Sequence, residues 1–178
     1  MIQNVPVLTG FALLLTLACA VTDWRRGKVY NALTYPAALL GLIASVFATP
    51  PGLLMSAAGL GACLLGFGLL WYAGGLGAGD VKLMAAVGAL KGLPFVVHSC
   101  FYIICAAAVA GIFLLAWRGR LLVVSKWVAL TLASAVIPGM SAPALEGERM
   151  TVPFAPFIFI GTAITAYAEI VSGAAVAL

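Results

Sequence analysis

The chain has 178 residues, 65% of them hydrophobic and 8% charged, with a mean hydropathy of +1.20 and a formal net charge of +4. A soluble domain carries about 25% charged residues, so composition excludes one, and so small a positive balance speaks to membrane orientation rather than to nucleic acid. The apolar runs do not alternate with polar residues, which disfavours a β-barrel and leaves an all-α integral membrane protein.

At about 20 residues per span there is room for about six transmembrane helices. They form one membrane-embedded domain over residues 1–178, with no separate soluble domain. Residues 5–22 are the first expected span, reaching about 27 Å at about 1.5 Å per residue. The stretch before Phe11 has no Lys or Arg, so it lacks the basic start of a cleaved secretory signal. A polar loop at 23–31 separates it from a second span at 32–48. Thr49-Pro50-Pro51-Gly52 reads as a tight turn. The third span, 53–73, carries Gly59, Gly61, Gly66 and Gly68, which suit close approach by a neighbouring helix. A glycine-rich loop, Gly74 to Gly79, leads into residues 81–92, too short to span in the usual way. Residues 95–117 form a full fifth span. After a basic stretch at 118–126, residues 127–140 read as an interfacial or re-entrant piece, 141–153 as polar and proline-containing, and 154–177 as the last span.

The basic residues orient these spans. With the N-terminus outside, Arg25, Arg26, Lys28, Lys82, Arg118, Arg120, Lys126 and Arg149 all fall on the cytoplasmic side, and only Lys91 falls outside. Cys19, Cys63, Cys100 and Cys105 lie inside apolar spans without metal-ligand spacing and read as small buried hydrophobes. His98, the single histidine, falls near the outer end of the fifth span and reads as an interfacial polar residue. Trp24, Trp71, Trp117 and Trp127 cluster at span ends, as an interfacial belt does.

Chemistry concentrates on the chain's two aspartates. Asp23 follows the first span and precedes Arg25, Arg26 and Lys28; Asp80 follows Gly77 and Gly79 and begins a helix. Each alone has a plain explanation: Asp23 pairs with a nearby arginine, and Asp80 caps a helix. Together they are two ionisable groups at the edge of a bilayer, both on one side, and such groups are functional by default. Glycines at 77 and 79 let another backbone approach closely, as a substrate strand must. Pro153, Phe154 and Pro156 open the last span at the same face, where prolines free backbone carbonyls that could orient a peptide.

Asp-x-Arg-x-x-x-Val-x-Asn at Asp23 to Asn31 and Gly-x-Gly-Asp-Val-Lys-Leu at Gly77 to Leu83 resemble the two active-site motifs of the type IV prepilin peptidases. Pro153-Phe154-Ala155-Pro156-Phe157 is similar to the signature at the start of that family's last helix. Tyr30 stands where the family usually has proline, and Ala155 where glycine is common. The resemblance, closest to the short Flp-type (tight-adherence) members, implies a Gly-x-Gly-Asp aspartic endopeptidase. Its place would be the bacterial inner membrane, multi-pass, with a cytoplasmic active site. Asp23 and Asp80 match the catalytic pair. Gly77, Gly79, Arg25, Asn31, Lys82, Pro153, Phe154 and Pro156 are the expected substrate-binding residues. The partners implied are prepilins or pseudopilins and membrane lipid, with no nucleic acid, and neither metal nor other cofactor is expected. The extra N-terminal region that gives longer members a methyltransferase activity has no counterpart in this sequence, so methylation is not expected. Mechanistically, two close carboxylates share one proton. The charged member, assigned to Asp80 at a helix N-terminus, activates a water while the protonated one polarises the scissile carbonyl. Two other protein classes use lone aspartates in membranes. A proton relay in a transporter or channel places them mid-span. A presenilin-type protease buries its first aspartate in an apolar helix. A structural membrane subunit is a third alternative, behind these two.

Overall fold

The computed structural model describes residues 4–47, 52–119, 130 and 153–171. Five helices account for nearly all of them: α1 (Asn4–Arg26), α2 (Asn31–Phe47), α3 (Gly52–Tyr72), α4 (Ala78–Trp117) and α5 (Ala155–Val171). α1, α3 and α4 contain stretches long and apolar enough to cross a membrane; α2 and α5 are shorter apolar helices. Outward positions on these helices are large and apolar, among them Leu14, Leu39, Leu54, Leu65 and Phe101. Buried positions are rich in Ala, Gly, Ser and Thr. That inversion of a soluble protein suits lipid outside and close helix contact inside. The chain is an all-helical membrane protein.

It divides into two compact units: Met1–Ala106 with Pro153–Leu178, and Ala107–Val152. In the second unit the described residues are the end of α4, where the rings of Phe113 and Trp117 meet at 5.9 Å, the turn after it, and residue 130. The expected re-entrant piece at 127–140 lies, apart from residue 130, outside the described residues, as do 120–126 and 141–152.

Glycine geometry sets the helix ends. α1 runs one turn beyond the expected span, so Asp23 is helical. Polar side chains do not stop a helix; Gly27 does, with φ 61° and its N–H on the Asp23 carbonyl at 2.7 Å. α3 closes on Gly74 at φ 80°, with bonds from Gly74 to Trp71 and from Gly75 to Leu70, each 2.9 Å. The break expected between 92 and 95 is present as a kink in α4: Gly92 takes φ 78° and ψ 173°, a region essentially closed to other residues, and Pro94 follows.

The first arm of α4, up to Lys91, is the centre of the first unit. Val81 and every residue from Leu83 to Lys91 are buried. Backbone meets backbone around it. A Cβ at Gly41 of α2 would lie 2.7 Å from Ala89, and one at Gly59 of α3 would lie 2.7 Å from Gly88. Beyond the kink, Gly161 of α5 faces Ser99 and Ile103, and Ser99 donates to Thr165 at 3.1 Å. Of the four glycines expected to pack α3, only Gly59 does so; Gly61, Gly66 and Gly68 have open space beside them.

Candidate active site

Three helix ends build the site. Asp23 sits in the last turn of α1 and Asp80 in the first turn of α4, and both side chains are buried. The two carboxylates are within electrostatic reach of each other, and Cys19, one turn before Asp23, is within reach of both. Residues 57 positions apart in sequence are therefore buried within electrostatic reach of each other.

Asp80 is the third helical residue of α4, and its carboxylate lies against the Gly77 backbone at the start of the helix. The Asp80 Oδ1 is buried without a hydrogen-bond partner among the described residues. Asp23 Oδ2 accepts from the Ala155 N–H at 3.2 Å. Ala155 is the first residue of α5, where N–H groups have no partner within the helix. Two helix N-termini thus point their positive ends at the pair, which favours the charge it carries.

Val29 locks the two motif segments together. A Cβ on Gly79 would lie 2.8 Å from Val29 Cβ and 3.3 Å from its Cγ2. At Gly79 the protein's own Val29 makes a close approach. Gly79 is not among the glycines with positive φ, so space, not backbone freedom, requires it. At Gly77 a Cβ would sit 3.1 Å from Asp80 Oδ2, so its small size serves the carboxylate directly.

A second tie joins the same segments at the surface. Lys82 Nζ donates to Asn31 Oδ1 at 3.0 Å and lies 5.3 Å from the centre of the Tyr35 ring. Tyr30 accepts from Arg26 through its hydroxyl at 2.8 Å, and its carbonyl opens α2 by accepting from Leu33 and Thr34. Arg25 is exposed on the last turn of α1. Pro153, Phe154 and Pro156 are half-buried at the entry to α5. The Phe154 carbonyl accepts from Phe157 at 3.0 Å and Ile158 at 3.3 Å. What this segment offers the site is a donor, the Ala155 N–H.

His98 donates to the Pro94 carbonyl at 2.8 Å and takes no part in this cluster. Among the described residues, no three of His, Cys, Asp and Glu are grouped as a metal site would require. Val29, Cys19 and Ala155 were not singled out from sequence as site residues. Val29 and Ala155 lay inside the quoted motifs, and Cys19 precedes Asp23 by one helical turn.

The arrangement is that of a helical membrane protein with a buried carboxylate pair at one end of its bundle, fed by two helix N-termini. Residues 10–116 match the model of the type IV leader peptidase family. That stretch is more than half of the chain and contains both aspartates; the chain belongs to the type IV leader peptidase family. Comparison with curated proteins and with solved structures returned no match.

Proposed function

We propose that this peptidase is an aspartic endopeptidase, with Asp23 and Asp80 as its catalytic pair, that removes the basic leader from Flp-type prepilins and pilin-like proteins. The observation that carries the proposal is that the chain's two aspartates, both buried at helix ends, lie within electrostatic reach of each other, one in the first turn of α4 and one bonded to the first N–H of α5.

Two buried carboxylates in reach of one another cannot both ionise without cost, so the pair holds one proton. Two buried carboxylates that interact titrate together, so the pair is best written as a unit rather than as a fixed acid and a fixed base. The ionised member takes a proton from a water, whose oxygen attacks the scissile carbonyl carbon. The protonated member donates to the carbonyl oxygen. Collapse of the tetrahedral intermediate breaks the C–N bond, and the amine leaves with a proton from the pair.

A substrate with a basic leader and an apolar helix would bring its junction to the edge of the bilayer. Exposed Arg25 and half-buried Phe154 and Pro156 flank that edge and are proposed to meet the substrate. Asn31 and Lys82, bonded to each other, are proposed to hold the two motif segments in place beside it. The proposed setting is a bacterial inner membrane crossed by about six spans with this end in the cytoplasm, an orientation supported by the distribution of basic residues. Lys91, the one exception in the charge count, is buried and therefore does not weigh against this orientation.

Co-expression with Flp-type pilin precursors, followed by N-terminal sequencing of the product, tests the proposal. Cleavage C-terminal to the glycine at the leader boundary is expected. Precursors left intact by accumulated wild-type protein would overturn it.

A further inference from the structure

At the other end of the same three helices lies a second polar cluster. Lys91 Nζ donates to Thr9 Oγ1 at 2.7 Å and to Glu169 Oε1 at 3.0 Å, and lies 2.8 Å from Glu169 Oε2. The ammonium also stands 4.9 Å from the centre of the Phe95 ring. The side chains of Lys91 and Glu169 are 5% and 11% exposed. Thr9 belongs to α1, Lys91 to α4 and Glu169 to α5. These are the three helices that supply Asp23, Asp80 and the Ala155 N–H.

Burying an ion pair is a poor way to gain stability, since apolar residues of similar volume do as well or better. Its best-attested use is to specify register. Register is at issue here because Gly92 breaks α4 immediately after Lys91. The arm that carries Asp80 is thereby uncoupled from the rest of the helix and must be fixed by its own contacts. From Asp80 to Lys91 is about 16 Å of unbroken helix, stiff enough to carry an axial shift from one end to the other.

We propose that Lys91, Glu169 and Thr9 form a positioning clamp that sets the axial register of α1, α4 and α5 and so places Asp23, Asp80 and the Ala155 N–H for reaction. None of the three touches the carboxylate pair. The catalytic consequence rests on the functional reading above; the register itself does not.

The test compares wild type, the apolar double variant Lys91→Met/Glu169→Met and the charge-swapped Lys91→Glu/Glu169→Lys. Single variants leave a buried charge unpaired and are expected to accumulate poorly, so the doubles carry the argument. The apolar double should melt no lower than wild type in detergent. Its kcat for prepilin cleavage should fall by about 10- to 100-fold, as a displacement of order 1 Å costs, with KM little changed. The swapped double should recover most of that rate. In a cysteine-free background, spin labels at Trp24 and Ala78 should give one narrow distance distribution in wild type and the swap, and a shifted or broadened one in the apolar double.

A wild-type rate and distribution in the apolar double would overturn the clamp. Should wild type itself cleave no prepilin, the functional reading falls, and the spin-label distances still decide whether the clamp sets register.

Discussion

Adding one methyl group at Gly79 should separate the two motif segments by a calculable amount. The new Cβ of Gly79→Ala would lie 2.8 Å from Val29 Cβ. Carbon atoms settle at about 3.5–4.0 Å, so the segments must part by about 1 Å. Backbone strain adds nothing, because Gly79 is not among the positive-φ glycines. Overpacking of this kind costs about 1–3 kcal/mol. The larger effect is on rate: about 1 Å of misplacement between reacting groups costs up to about 100-fold. Gly79→Ala should therefore cleave prepilin about 10- to 100-fold more slowly than wild type, in an initial-rate assay in detergent, with a modest drop in melting temperature. Pairing it with Val29→Gly removes the clashing atom. The nearest Val29 atom is then Cα, 3.6 Å away, an ordinary contact. The double variant should regain most of the lost rate. Either a wild-type rate for Gly79→Ala or a double variant no faster than the single would refute the idea that this contact spaces the two aspartates.

Asp23→Asn and Asp80→Asn should each abolish cleavage while the protein still inserts and accumulates, since Asn keeps the shape but cannot pass the proton; near-wild-type turnover by either, measured on purified protein, removes that residue from the mechanism. Gly88→Ala should destabilise strongly, because its Cβ would lie 2.5 Å from the Gly59 carbonyl oxygen, whereas Gly66→Ala meets nothing within 4 Å and should leave melting behaviour unchanged or slightly improved. If both variants melt alike, the α3–α4 contact is not as close as described. A cysteine at Ala78, in a cysteine-free background, should resist impermeant thiol reagents applied to intact cells while one at Gly52 reacts; the opposite pattern would put the carboxylate pair on the outer face.

The sequence alone was enough to locate the start of every described helix to within a few residues. Apolar runs have no other stable form in a membrane, and Gly and Pro mark where they end. It also marked Asp23 and Asp80, because charge is so scarce in this chain that two carboxylates stand out without any geometry. What it left open are relations between distant residues. The Ala155 N–H reaches Asp23 across 132 positions, and nothing local to either residue announces it. Gly79 and Val29 both sit in the motifs, yet only the folded chain shows that the glycine makes room for that valine. The Lys91–Glu169 pair was the hardest to foresee. Each charge sits inside an apolar stretch whose average hydropathy hides it, and a lone lysine near a span end reads as a loop residue until a partner 78 positions away is brought beside it. Local patterns report what a segment must bury. Only packing decides against which other segment it is buried, and it is those contacts that bring the two aspartates together.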